Sequence, residues 1–282
     1  MKKTNYHTHC TFCDGKENAE AMLQAAIDME FDVLGFSSHA MHPFSDGWHI
    51  KTQDYAAYCS EINRLKANYK DKIEVLLGFE ADYIHGLCKP DFEIYKDFKP
   101  DFILGSIHFV PGADGFFEAD GKPEKTKESI QKNFAGNAKE AVCRYFELER
   151  EMLEKSSFTI LGHADLIRMQ NRNKGQELFC ENEAWYKEQL QETAKKIAQA
   201  GVIVEINTGG MARGFLSEPY PSPYFLSLLH DYGIPITIDS DAHISKNLDF
   251  AFAESIKYAK NAGYSELAYI SGGEIHFQPI TL

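Results

Sequence analysis

Short apolar, β-branched runs alternate along this chain with longer stretches of helical period, and nearly every run closes on a histidine or an acid. The runs are Thr4 to His9, Val33 to Ser37, Ile73 to Glu80, Phe102 to His108, Phe158 to His163, Val202 to Asn207 and Pro235 to Asp239. Between them Leu23 and Ile27 join Ala19 and Ala26 on one apolar helical face; Tyr55, Tyr58, Ile62, Leu65 and Tyr69 form a second. Val142, Tyr145, Phe146, Leu148 and Met152, then Leu190, Ala194 and Ile197, continue the series. Strand-crossover-strand alternation of this kind predicts an α/β fold around a parallel sheet. One barrel of roughly 250 residues would account for nearly all of a 282-residue chain. No repeat, low-complexity tract or polar linker divides it, so residues 1–282 are expected to form one domain. The stretches rich in Gly and Pro, residues 111–123 and 207–223, follow strands and are expected to be loops at the working end.

His7 and His9 close the first run, His39 follows the second, Glu80 closes the third, His108 the fourth and His163 the fifth; Asp241 and His243 follow the seventh. In a closed parallel barrel the carboxyl ends of the strands share one mouth, so residues spread over most of the sequence would meet there. Within His7-Thr8-His9 strand alternation sends both imidazoles to one side, and Asp241-Ala242-His243 repeats the geometry. Either triplet alone is as readily a hydrogen-bonded core histidine. Together with the ligands on the intervening runs, a non-metal explanation would bury several ionisable groups side by side uncompensated, which is costly. Imidazole and carboxylate together suit zinc, manganese or iron, and carboxylates bridge ions. A multinuclear metal site is the expectation.

Acids outnumber Lys and Arg 42 to 29, for a formal net charge of −13, so no basic surplus exists to neutralise a phosphate backbone and a nucleic-acid partner is disfavoured. No stretch approaches the ~20 apolar residues of a membrane span, and Lys2-Lys3 leads into polar residues, so no membrane partner and a cytoplasmic location are expected. Six scattered cysteines, Cys10-x-x-Cys13 among them, lack the second pair a four-thiolate site needs and read as reduced thiols.

His7-Thr-His9 with Phe12-Cys-Asp14-Gly15, Gly35-Phe-Ser-Ser-His39, Gly78-Phe-Glu80, Gly105-Ser-Ile-His108, Gly162-His163-Ala-Asp165 and Asp239-Ser-Asp241-Ala-His243 resemble the successive motifs of the PHP (polymerase and histidinol phosphatase) family. Ser38-His-Ala-Met41 with Trp48-His49, and Glu205-Ile-Asn-Thr-Gly209 with Glu218-Pro-Tyr-Pro-Ser222, resemble its histidinol-phosphatase branch. The resemblance implies a distorted (β/α)7, TIM-like barrel with three divalent ions. His7, His9, Glu80 and Asp241 would hold the first; Glu80, shared, with His108 and His163 the second; Asp14, His39 and His243 the third, with Glu17 a nearby substitute for Asp14. Glu80, Asp241 and His243 would serve catalysis as well. The expected activity is hydrolysis of L-histidinol phosphate to L-histidinol and phosphate, a step of histidine biosynthesis.

A phosphate monoester dianion repels hydroxide, so its hydrolysis needs concentrated positive charge and a ready nucleophile; a metal-bridging hydroxide with no covalent phosphoenzyme meets both needs. Arg168 after the fifth run and Arg213 after the sixth are candidate phosphate contacts, guanidinium suiting bidentate binding. His42, Trp48 and His49 are candidates to pack around an imidazole ring of the substrate or donate to the leaving oxygen, whereas Arg172 and Lys174 read as solvated loop charges. The alternatives are a phosphatase of this architecture acting on a nucleotide or phosphotyrosine, a non-catalytic metal-bound module, and a C–N hydrolase. A complete ligand set in a stand-alone chain disfavours the module, and the lack of a Lys at any candidate strand end disfavours the C–N hydrolase.

Overall fold

The computed structural model describes residues 1–175 and 177–281. Seven parallel strands follow one another around a nearly closed barrel in the order β1 (Thr4–Asn5), β2 (Val33–Phe36), β4 (Glu74–Asp82), β5 (Phe102–Ser106), β8 (Ile160–Leu161), β9 (Ile203–Asn207) and β10 (Ile236–Asp239). The short β3 (His39–Ala40) continues the line of β2 and pairs with β4, placing His39 level with Glu80. A parallel bridge between Thr8 and Ala242, with hydrogen bonds from His9 N to Ala242 O and from Ala242 N to His7 O, joins the first and last strand regions. That bridge sets the triplets His7-Thr8-His9 and Asp241-Ala242-His243 side by side.

The crossover helices begin and end where local chemistry dictates. Asn18 caps α1 (Ala19–Asp28) by accepting from Ala21 N, and Asn137 caps α5 (Ala138–Lys155) by accepting from Glu140 N. Between them lie α2 (Tyr55–Tyr69), α3 (Phe92–Tyr95) and α4 (Pro123–Asn133). Gly201, left-handed at φ 70°, stops α6 (Ala184–Ala200). The short α7 (Gly209–Ala212), α8 (Pro223–Asp231) and α9 (Phe252–Asn261) complete the set. Apolar helix faces pack on the outside of the strands: Met22 and Leu23, Tyr58 and Ile62, Tyr145 and Phe146, and Leu190 and Ile197 share one large core.

A second core fills the barrel toward its amino end: Tyr6, Val33, Leu76, Phe102, Leu104, Ile160 and Ile203 meet Ala268 and Ile270. Ala268 and Ile270 belong to an antiparallel hairpin, β11 (Glu266–Ser271) and β12 (Glu274–Pro279), with the Tyr6 hydroxyl donating to Ile270 O and accepting from Ile270 N. This plug leaves the carboxyl end as the open mouth. The expected loop after β5 is instead a hairpin, β6 (Phe109–Gly112) and β7 (Gly115–Glu118), followed by α4. Pro111 within β6 made the segment read as irregular; it sits on a two-stranded ribbon, where a missing N–H is tolerated. No helix among the described residues is long and apolar enough to cross a membrane.

Candidate metal centre

The strand ends bring nine imidazole and carboxylate side chains together at the mouth. Four overlapping groups have ligand atoms within 4.8 Å of one another: His9, Asp14, His39 and His243; His7, His9 and Asp241; His7, Glu80 and His163; and His39, Glu80 and His108. Eight of the nine close or follow the apolar runs of the sequence, and Asp14 is the one that only the family resemblance implies. Glu80, 1 % exposed, is the hub. Its Oε2 lies 2.7 Å from His39 Nδ1, 3.1 Å from His7 Nε2 and 3.6 Å from His9 Nε2; its Oε1 lies 2.9 Å from His163 Nε2 and 3.4 Å from His108 Nε2. Asp241 Oδ1 stands 3.4 Å from His9 Nε2 and 3.7 Å from His7 Nε2. Asp14 Oδ1 stands 3.2 Å from His243 Nε2 and 3.6 Å from His39 Nε2. The grouping is more interwoven than three separate sets, since His9 also joins the Asp14 group and His39 also reaches Glu80. Glu17 is committed elsewhere, accepting from Ser245 N and Oγ.

Backbone geometry delivers two of these side chains. Gly15 packs so tightly that a Cβ would fall 2.5 Å from Cys10 N, and this close approach folds the 10–15 turn back to bring Asp14 to the mouth. Asp241 is held at φ 51°, a left-handed conformation that costs energy in a residue with a Cβ and persists only where surrounding structure enforces it.

Charge is balanced within the cage. Burial opposes ionisation of Glu80, but His39, His7 and His108 outweigh it and hold the carboxyl well below its usual range. Burial likewise opposes ionisation of Asp241, and Arg213 and His7 reverse that effect. His9 is driven well below the ordinary imidazole value by burial and by His243 and His39. His108, despite burial, is pushed up to about 10 by Asp82 and Glu80. Five buried atoms of the cage, His7 Nε2, His9 Nε2, Asp14 Oδ1, His39 Nδ1 and Glu80 Oε2, have no hydrogen-bond partner among the described residues. Buried polar atoms are rarely left so, and nitrogen and oxygen donors converging at these distances fit divalent cations.

Supporting contacts came from residues that strand-end counting overlooked. Glu205 on β9 meets His7 Nδ1 at 2.9 and 3.0 Å and accepts from His163 N and Asn207 Nδ2. Asp82 on β4 meets His108 Nδ1 at 2.8 Å. Both were within reach of the same reasoning: Asp82 lies two residues beyond Glu80 on the same strand face, and Glu205 is the acid on the run that ended in no ligand.

The cage opens into a cavity of about 580 Å³ lined by Lys16, Trp48, Glu118, Asp120, Arg213 and Phe215 together with Asp14, His39, His108, His163, Asp241 and His243, while His7, His9 and Glu80 lie beneath it. Arg213 Nη2 lies 2.8 Å from Asp241 Oδ2, and Gly209 makes room for the pair, since a Cβ there would be 2.6 Å from that oxygen. Trp48 stands edge-on to His39 at 4.6 Å between ring centroids. Three expected substrate contacts, Arg168, His42 and His49, lie outside the lining, His49 being turned inward onto Asp82. Arg168, 6 % exposed, turns inward: its Nε donates to Glu181 Oε2 at 2.8 Å, its Nη1 lies 3.8 Å from Asp165 Oδ2, and its Nη2 lies 3.8 Å from Glu218 Oε2. Carboxylates already surround that guanidinium. His42 packs against Tyr55 and Phe98, each at 5.1 Å, on the far side of β3. Arg172 lies over the Phe215 ring at 4.8 Å and donates to Met169 O and Gly121 O, so it is a loop brace.

A barrel whose open end carries a cage of metal donors beside a guanidinium-lined cavity defines a metal-dependent hydrolase of the α/β-barrel kind. Comparisons narrow this. The PHP domain profile matches residues 5–209, and the chain belongs to the PHP domain family. A Schizosaccharomyces pombe relative named a probable histidinol-phosphatase is 26 % identical over 95 % of this chain and 89 % of its own length. A Lactococcus lactis histidinol-phosphatase is 26 % identical over 98 % and 97 %. The crystal structure of histidinol phosphate phosphatase from Lactococcus lactis, complexed with zinc, L-histidinol and phosphate, superposes with a TM-score of 0.74 at 24 % identity, covering 98 % of this chain and 99 % of that one. The chain is a metal-dependent phosphomonoesterase of the PHP domain family, similar along most of its length to proteins named histidinol-phosphatase.

Proposed function

We propose that residues 1–282 form one catalytic domain that hydrolyses L-histidinol phosphate to L-histidinol and phosphate, a cytoplasmic step of histidine biosynthesis, using three divalent ions. His7, His9, Glu80 and Asp241 would hold one ion, Glu80, His108 and His163 a second, and Asp14, His39 and His243 the third. Bound there, divalent ions lower the pKa of coordinated water and neutralise charge on the phosphoryl group. The chain supplies the rest. Asp241 and His243 line the cavity where the ester would react and Glu80 lies buried beneath them, Glu80 and Asp241 fixing the spacing of the cage and His243 standing at its open edge. Arg213, on the cavity wall, is placed to exchange Asp241 for a phosphoryl oxygen and hold the ester in line. In the overall reaction the oxygen of water forms a bond to phosphorus, the bond from phosphorus to the ester oxygen breaks, and the departing alkoxide takes up a proton.

The observation that carries this reading is the convergence of nine donors from both ends of the sequence on one cage, six of which line the cavity that also holds Arg213. Trp48 and Phe215 offer flat apolar faces to an imidazole, and Glu118 and Asp120 offer negative charge to a substrate carrying an ammonium group. The test joins metal analysis of protein purified without chelator to turnover of L-histidinol phosphate, a nucleoside monophosphate and phosphotyrosine. About three ions per chain and a preference for histidinol phosphate of at least about a hundredfold in kcat/KM, some 2.7 kcal/mol in transition-state binding, are expected. Equal or better turnover of either other ester would overturn the substrate, and fewer than two ions with full activity would overturn the ligand assignment.

A further inference from the structure

The segment between β3 and α2 meets the centre in two places at once. Trp48 forms cavity wall, while the next residue, His49, turns inward and is 3 % exposed. The Trp48 and His49 rings lie 3.8 Å apart, and the His49 ring lies 6.2 Å from that of Phe109 on β6. His49 Nδ1 meets Asp46 Oδ1 at 2.9 Å and its Nε2 meets Asp82 Oδ2 at 2.7 Å. The other oxygen of Asp82 lies 2.8 Å from His108 Nδ1, and His108 Nε2 faces Glu80 Oε1 at 3.4 Å. Four side chains thus run in line from the half-exposed Asp46 to the cage.

An imidazole that donates Nδ1–H to a carboxylate is fixed in the tautomer whose Nε2 lone pair is free for a cation, and in the ring orientation that aims it. The supporting carboxylate must itself be held. Glu205, which supports His7, is held by the backbone amide of His163 and by Asn207. Among the described residues the contact to Asp82 Oδ2 comes from His49, a side chain on a loop, and its Oδ1, besides meeting His108 Nδ1, accepts the long bond from His108 N at 3.4 Å. We infer that His49 is a positioning residue: by gripping Asp82 it aims His108, and the loop that supplies the Trp48 wall thereby also sets one arm of the metal cage. The inference rests on the proposed metal reading. It gives His49 a role distinct from filling space, because a ring without a donor at the Nε2 position would keep the packing and lose the grip.

The test strips the full-length protein of metal and titrates it with cobalt(II), reading the visible absorption that coordinated cobalt develops. In His49→Phe the affinity for one cobalt ion is expected to fall by about 10- to 100-fold, the usual cost of losing an outer partner, while the remaining uptake stays at the wild-type level. His49→Gln, whose side-chain amide donates to Asp82, should restore most of that affinity; without metal His49→Gln should melt close to wild type, and His49→Phe, which leaves Asp82 short of a partner, somewhat lower. Should His49→Phe fail to fold, His49→Asn, whose amide is too short to reach Asp82, takes its place against His49→Gln. Wild-type affinity in His49→Phe, equal weakening in Phe and Gln variants, or a uniform loss of every cobalt would each overturn the inference. Wild-type protein that takes up no cobalt would overturn the metal reading beneath it.

Discussion

Replacing Glu80 with Gln tests the cage at its hub. The substitution preserves shape and one oxygen but turns the other into an amide nitrogen, which carries hydrogens and no charge. In the native arrangement Oε1 serves His163 and His108 while Oε2 serves His39, His7 and His9, and Ser106 Oγ donates to Oε1 at 2.8 Å. Whichever way the amide turns, one side of the cage faces N–H groups that cannot ligate a cation. Removing one partner from a buried, hydrogen-bonded charge pair costs about 3–5 kcal/mol. Referred to a bound cation in place of the imidazolium partner, that is roughly 150- to 4,000-fold in affinity, at 1.4 kcal/mol per factor of ten. Because Glu80 lies between two of the proposed ions, the expected outcome is loss of at least one ion per chain after dialysis against a weak chelator. Activity on histidinol phosphate should fall with it by at least about a hundredfold in kcat. Elemental analysis of the dialysed protein and steady-state kinetics read both, and thermal melting in excess chelator, where wild type and variant are both metal-free, shows whether the variant still folds. A folded Glu80→Gln protein that keeps its full metal content and more than a third of wild-type kcat would refute the reasoning, because the hub would then not be bridging.

Three further outcomes are expected. Chelation should lower the melting temperature: a cation held at a hundred times its dissociation constant stabilises the fold by about 2.7 kcal/mol, which for a chain of 282 residues is roughly 5 °C, and an unchanged midpoint would mean the cage binds nothing. Arg213→Ala should raise KM for histidinol phosphate by about 10- to 100-fold, as the loss of one charge-assisted contact would do, with metal content unaltered; lost metal at unchanged KM would assign Arg213 to Asp241 instead. Glu149, 1 % exposed on α5, is raised well above 4.5 by burial and by the nearby Asp165. Its folded form therefore holds a proton that the unfolded chain releases, and its contribution to stability, complete below about pH 4.5, is lost as pH rises toward the folded value. The stability of Glu149→Gln relative to wild type, from urea unfolding, should accordingly improve between pH 5 and pH 8; a flat or opposite trend would contradict the raised value.

The architecture was legible because burial on both faces forces parallel strands into apolar runs, and those runs are easy to see. All seven expected strands form, each within a few residues of its anticipated limits, although only Thr4–Asn5 and Ile160–Leu161 of the first and fifth are regular strand. The cage was legible for a related reason: a charged or imidazole side chain closing an apolar run has to answer for its own burial, and His7, Glu80, His108 and His163 could do so only by meeting one another. Asp14 was open because a turn delivers it, and turns carry no period. The terminal hairpin went unseen although Gly272-Gly273 marks its turn, with both glycines at positive φ. Its alternation lies beyond the last ligand, and nothing local shows that Ala268 and Ile270 must close the amino end of the barrel.

Arg168 and His42 show the limit of reasoning from position. Both follow strands at the right end of the barrel, as Arg213 and Trp48 do, yet only the latter two reach the cavity. A side chain after a strand has two destinations, the mouth or the packing between loops, and its partners decide between them. Arg168 finds Glu181, Asp165 and Glu218, acids that local charge counting leaves as surface, and a guanidinium taken out of water settles where carboxylates compensate it. His42 finds Tyr55, Tyr95 and Phe98. Arg213 finds Asp241, itself a cage donor, and so stays where phosphate would arrive. What separates the three is the identity of neighbours that, Asp165 apart, lie 13 to 56 residues away along the chain, and that information belongs to the fold rather than to any motif.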